Sequence, residues 1–351
     1  MAAQHIDVKR ILNLRGYVAE ATRRAKAAQA RQEADSAKLL SPSDVSGEYD
    51  AARLLMTTLG GQLCALTQDD LRQFAASAKK LGKRFKGGIT ARGVIDLSLK
   101  VDRERANAQI RTAVVVKAQA GVLRFITNAG PDSDVTRHHV HVEFPAFKAY
   151  AAQGQKPDKL ARAMLDGPIK ISCDCGRARF WLDYVQTIGG FKYGAPQNNF
   201  PKIRNPKLVG VACKHALRVM VAIKGEAMVR TQAAKMIAAA QSNDTKAQTV
   251  TAAEARAEAE RQVRQQHHLK HQAETTADKL KRQASMPGAA AKAKARALAD
   301  AMQKAQAKMK ASVATSRRDM QAAFAKLAAA PMTKAMRDQL IKRLQAAQTI
   351  D

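Results

Sequence analysis

The chain has 351 residues, with 60 Lys+Arg against 30 Asp+Glu, a formal net charge of +30 and only 4% aromatic residues. The cationic excess points to phosphate-bearing partners, nucleic acid first, and to binding that weakens with salt. Much of the 46% apolar content is alanine, which buries little area per residue, so one large core running through the whole chain is excluded.

The opening "MAAQHIDVKRILNLRG" carries charges by its seventh residue and no apolar run, which predicts no secretory signal. No stretch of some twenty apolar residues is present, so no membrane span is expected. Residues 1–40 read as basic helix, with Ile11, Leu12, Leu14 and Val18 on a patchy apolar face. "SPSDVSGEYD" breaks it, and a second helix is expected from about Asp50. "TQDD" at 67–70 has the form of an N-cap opening a third helix, with Leu71, Phe74 and Leu81 inward. That helix ends in "KKLGKRFKGG", where Lys79, Lys80, Lys83, Arg84 and Lys86 are candidate non-specific contacts to DNA.

The texture then changes to short β-branched runs between Gly, Asn, Asp and Pro: "GVIDLSLKV", "AQIRTAVVVKAQ", "GVLRFITNAG" and "HHVHVEF". Residues 88–225 are therefore expected to form an α+β domain, strand-rich and small. Within "RHHVHVEF", His139 and His141 share one strand face and His138 takes the other, a pattern read as a polar face. Cys64 reads as a small buried residue, and His267 and His271 as surface residues of a helix. Asp96, Asp102 and Glu104 read as a solvated edge.

After Gly225 the chain is mostly Ala, Lys, Arg, Gln and Glu, a helical composition. Thr251 and Glu254 fit a capping box, and "SMPG" is a stop. Leu298, Met302, Met309, Val313, Met320, Phe324 and Leu327 then form a thin apolar seam, closed by Pro331. So narrow a stripe needs neighbours, so the helices of residues 226–351 are expected to pack on one another within the chain, with copies of it or with other proteins.

The densest chemistry lies in "ISCDCGRARFWLDYVQTIGGFKYGAPQNNFPKIRNPKLVGVACKHALRVM". Four cysteines at uneven spacing suit a metal in a reducing interior better than a disulfide framework. Cys173, Cys175, Cys213 and His215 form C-x-C…C-x-H, three thiolates and an imidazole that complete a tetrahedral Zn²⁺ shell. All four positions are filled by protein, which marks a structural centre rather than a catalytic one. Arg177, Arg179 and Lys214 lie nearby to balance its negative charge. "HALRVMVAIKG" reads as a helix carrying the second ligand pair. Phe180, Trp181, Tyr184, Phe191, Tyr193 and Phe200 supply bulk for a small core beside the metal. Arg204 and Asn205 are placed to tie loop backbone. No Walker loop, G-x-S-x-G, dinucleotide-binding glycines or clustered acidic metal site is present, so no enzymatic activity is expected.

This ligand order resembles the SWIM-type zinc finger, although the gap between the pairs is longer here. The fuller combination of the C-x-C start, "FWLDYV", "FPKIRNP" and "ACKHALRVM" is similar to a zinc-binding segment of virion structural proteins of tailed bacteriophages. The resemblance covers roughly residues 88–225, and "KIRNP" and "CKH" are its most specific parts. It implies a zinc-stapled virion component, made in the host cytoplasm, that meets packaged DNA, other virion proteins and copies of itself. The alternative it implies is an intracellular SWIM-like nucleic-acid-binding regulator. The expected organisation is a basic helical region at 1–87, the zinc-stapled α+β domain at 88–225 and a helical Ala/Lys-rich region at 226–351.

Overall fold

The computed structural model describes residues 6–34, 39–40, 56–131, 133–266, 268, 271–285, 296–304 and 338. The chain divides into two compact units, Met1–Thr275 and Thr276–Asp351.

The first unit begins with α1 (Val8–Ile11) and α2 (Tyr17–Ala34), separated by Gly16 at φ 66°. A short pair, β1 (Met56–Thr57) and β2 (Cys64–Ala65), precedes α3 (Gln68–Arg84). The expected cap is present: the Thr67 side chain accepts from the Asp70 N–H, and the Asp70 carboxylate accepts from the Thr67 N–H. Leu71, Phe74 and Leu81 are buried, as the spacing predicts.

Strand β3 (Ile89–Thr90) leads directly into α4 (Ala91–Leu97) and then α5 (Lys100–Gln109). Here "GVIDLSLKV" is helical, against the strand that its β-branched residues predict. The Thr90 side chain caps the Gly93 N–H, and Ala91, Val94 and Ile95 fall at helical spacing on the buried side. The other runs form β4 (Ala113–Gln119), β5 (Val122–Asn128) and β6 (Arg137–Glu143). Helices α6 (Phe147–Ala151) and α7 (Pro157–Asp166) follow, then β7 (Pro168–Cys173). A π-helical turn at Ala178–Leu182 continues into α8 (Asp183–Ile188). The unit closes with α9 (Lys214–Gly225), α10 (Ala227–Gln241), β8 (Gln248–Thr249) and α11 (Ala252–Gln265).

Six strands form one antiparallel sheet in the order β3-β7-β6-β5-β4-β8. The β4–β5 hairpin turns on Ala120 and Gly121, both at positive φ (49° and 81°), the signature of a type I′ turn. One sheet face, including Val115, Phe125, Val140 and Ile171, belongs to the main core with α4, α5, α7, α9 and α10. Helix α9 is buried from His215 through Ile223. The opposite face carries Val114, Val116 and Ile126, packed against Ile11 and Leu12 of the N-terminal segment and Ala255 and Ala259 of α11.

Helices α10 and α11 both pack against β4, so the first compact unit extends through Thr275 and takes in the start of the 226–351 region. The Gln262 side chain explains part of this. It accepts from the Ala113 N–H at 2.7 Å and donates to the Ala113 carbonyl at 3.1 Å. The Thr251–Glu254 capping box is present at the start of α11. In the second unit, α12 (Thr276–Ala284) and residues 296–304 are helical. Met302 is 53% exposed there, while Met309, Val313, Met320, Phe324 and Leu327 of the seam lie outside the described residues. No helix among the described residues is long and apolar enough to cross a membrane.

Cys64 and His271 differ from expectation in burial. Cys64 is exposed on its two-residue strand rather than buried. His271 is buried, with Nδ1 3.3 Å from the Glu226 carboxylate, and His267 lies outside the described residues.

Candidate metal centre

The pleat of β7 ends on Cys173, which sits opposite Val140 of β6 on the core face. Two residues on, the Cys175 sulfur accepts the Ala178 N–H at 3.4 Å and the Cys175 carbonyl accepts the Arg179 N–H at 3.2 Å. These bonds tie the C-x-C turn to the π-helical segment. Cys213 is the N-cap residue of α9, in extended conformation, and His215 lies in that helix's first turn. Strand end and helix start thus deliver two ligands each. Gly176, which follows the first ligand pair, is not at positive φ.

All four side chains are buried, and their ligand atoms lie within 4.8 Å of one another. Cys173 Sγ is 4.0 Å from His215 Nδ1. This is a compact Cys₃His set that can hold a metal ion, assembled from the four residues the sequence singles out. Its protonation chemistry is that of a ligand cluster. Burial, reinforced by bonds to the other two sulfurs, pushes the Cys173 thiol well up. Cys175 is pulled down by Cys173, but its bond to Cys213 and its burial outweigh this and raise it. Hydrogen bonds from Cys173 and Cys175 hold Cys213 far down, as the sulfur that gives up its proton first. Burial lowers His215, keeping the imidazole neutral, the form that binds metal. A bound divalent cation would draw off the remaining thiol protons and leave the cluster with one net negative charge, which the neighbouring cations offset.

Around the ligands stand the expected cations and, with them, His138, Asp102 and Asp174, which no local sequence pattern signals as their partners. The His138 ring packs on His215, with centroids 4.2 Å apart, and its Nδ1 lies 2.8 Å from Asp174 Oδ1. Asp102, expected at a solvated edge, is 1% exposed and takes both arms of the Arg177 guanidinium at 3.2 and 2.9 Å. Arg177 in turn lies 3.7 Å over the Trp181 ring. Lys214 donates to Gln109 at 2.6 Å, and a Cβ at Gly130 would overlap its ammonium. Arg179 donates to the Asp174 carbonyl at 3.3 Å. The three expected cations are therefore all beside the centre, each held by a named partner.

The polar face expected of the β6 histidines is largely covered rather than open to solvent. His138 and His139 are buried, and His139 and His141 do share a face opposite His138. His141 stacks on Tyr193 at 5.5 Å, and burial chiefly, with Arg124 nearby, lowers its pKa to about 4. Of the aromatic residues assigned to a core, Tyr184, Phe191 and Phe200 are buried, while Trp181 packs at its edge. Asn205 ties the loop as expected, donating to the Trp181 and Val209 carbonyls at 2.7 and 3.0 Å; Arg204 is exposed. Lys79, Lys80, Lys83 and Arg84 lie on the outer side of α3, and Lys86 is exposed just beyond it. Lys80 and Arg84 border a groove floored by Leu81, Phe85 and Leu208.

No family model matches this chain, and neither a curated protein nor a solved structure is found to match it. The centre is consequently described by its own chemistry: a buried Cys₃His cluster able to hold a metal ion.

Proposed function

We propose that the protein is a non-enzymatic structural component of a tailed-phage virion, stapled by zinc and presenting a basic surface to DNA. The observation that carries the reading is the buried Cys₃His set, whose four ligands come from a strand end and a helix start and are enough in number and kind for a four-coordinate shell made only of protein atoms. Soft sulfur ligands with one imidazole in a tetrahedral count of four suit Zn²⁺, which in such sites supplies folding energy rather than reactivity. Cys173, Cys175, Cys213 and His215 would hold it. The net charge of +30 supports contact with a polyanion, and exposed cations on and after α3 are candidate contacts. The virion assignment rests on the resemblance in "FPKIRNP" and "ACKHALRVM". An internal or tail-lumen position suits the basic, alanine-rich C-terminal region.

The C-x-C…C-x-H order also supports a second reading, a SWIM-like nucleic-acid-binding regulator inside the cell. Composition of gradient-purified particles separates the two. The virion reading requires this chain in fixed stoichiometry in intact particles; its absence from them, with the chain present in infected cells, favours the regulator.

A further inference from the structure

Asp174 lies between two metal-ligand cysteines, yet its carboxylate is engaged elsewhere. Oδ1 accepts the His139 N–H at 3.1 Å and meets His138 Nδ1; Oδ2 accepts from Arg24 Nη1 at 3.1 Å. The side chain is 7% exposed. Burial alone would raise its pKa, but the His138 hydrogen bond and the charges of His138 and Arg24 outweigh this and lower it, so the carboxylate is held as an anion.

The other end of this ion pair belongs to α2. That helix is fastened almost without apolar burial: among its residues of described exposure, none is buried. Its anchors are polar and converge on the knuckle and the neighbouring end of β6. Arg24 reaches Asp174 and also donates to the Arg137 carbonyl at 3.0 Å. The Arg24 carbonyl accepts from Arg179 at 3.3 Å, and Arg179 also holds the Asp174 carbonyl. Glu20 pairs with Arg137, and Tyr17 stacks on His139 at 6.3 Å. A helix held this way depends closely on where its polar partners sit, because misplaced polar partners leave a desolvated charge in place of a bond.

We infer that Asp174 makes docking of α2 conditional on an occupied Cys₃His centre. The metal fixes the C-x-C turn, the turn fixes the Asp174 carboxylate, and the carboxylate holds Arg24. This rests on the reading of the cluster as a metal centre. An empty centre has four buried ligands without a common partner, so the turn relaxes and the latch opens. Release frees Arg24 for phosphate, together with the helix that carries Arg23 and Lys26. It also uncovers a cleft of about 430 Å³ that Ala21 of α2 walls and that His139, His141 and Asp174 line. The metal centre would then set whether the N-terminal cations are folded down or available.

Hydrogen exchange read by mass spectrometry on the full chain tests this, with metal content measured on the same samples. In zinc-loaded wild type, peptides covering residues 17–34 are expected to be protected, and after chelation to exchange at least tenfold faster; equal protection of 17–34 with and without metal overturns the inference. Asp174→Asn and Arg24→Ala are expected to keep one zinc per chain and the protection of β5 and α9, while exchange over 17–34 quickens at least tenfold. Wild-type protection of 17–34 in loaded Arg24→Ala overturns the latch, as does unprotected 17–34 in loaded wild type. Arg24→Ala leaves every group at the centre in place, so it decides the matter even if Asp174→Asn loses metal. A wild type that takes up no zinc at all would overturn the metal reading itself, a result distinct from loaded protein with an indifferent α2.

Discussion

Cys213 is the residue on which the centre turns. It is fully buried, occupies the N-cap position of α9, and is the sulfur both other thiols hydrogen-bond. Cys213→Ser is expected to lower bound zinc from one per chain to none. Because structural zinc contributes on the order of 10 kcal/mol to a small folded unit, the region around 170–225 should melt with it. Chelation should act in the same direction. His141 gives a second prediction. Its pKa lies at about 4, against an ordinary 6.5, so between those values the unfolded chain holds a proton that the folded chain lacks. Stability therefore falls as pH drops from 6.5 to 4, by at most about 1.4 kcal/mol per pH unit for this group. His141→Gln should show a shallower acid limb than wild type in denaturant titrations at matched zinc; identical slopes would contradict the assignment. The four ligands are legible in the sequence because cysteine is rare here and its spacing is informative. Asp102 and Asp174 are not legible as partners. Arg177 lies 75 positions from Asp102 and Arg24 lies 150 from Asp174, and nothing local in the sequence marks a carboxylate that a distant arginine will bury.

At the scale of elements, the β4–β5 hairpin carries a sharp test. Gly121 has φ 81°, and a Cβ there would come within 2.8 Å of the Phe147 Cβ. Gly121→Ala combines left-handed strain with overpacking and is expected to cost roughly 2–4 kcal/mol in equilibrium unfolding. Its neighbour Ala120 already sits at φ 49°, a position where Asn or Gly is the favoured residue of a type I′ turn. Ala120→Asn is expected to stabilise by up to about 1 kcal/mol, and destabilisation would count against the turn assignment. The hairpin strands are readable because β-branched residues run between turn residues. The run at 93–101 misleads for the same reason: Val94 and Ile95 suggest a strand, but Thr90 caps a helix on which they share a face. Helix capping outweighs β-propensity there, since a filled cap satisfies backbone donors that a two-residue strand leaves to neighbours.

For the whole molecule, charge sets the expectation. Duplex DNA should bind tightly at low salt, without sequence preference, and the affinity should fall steeply as salt rises. Replacing Lys79, Lys80, Lys83, Arg84 and Lys86 together by Ala should lower the slope of log K against log salt by roughly 0.9 for each phosphate these side chains neutralise. An unchanged slope would move the DNA-binding surface elsewhere on the chain. The extent of the first unit is the least legible feature at this scale. Nothing in an Ala- and Gln-rich segment signals that Gln262 and Gln266 close backbone groups of residues 107–113, yet these bonds bring α11 onto the sheet. Native mass spectrometry of the purified full chain tests the central claim most directly. The account predicts a mass increment of one zinc per chain, absent from Cys213→Ser, with the three core thiols protected from alkylation until the metal is removed. A folded, thermally stable chain that carries no metal and whose Cys173, Cys175 and Cys213 are unaffected by chelator would contradict it.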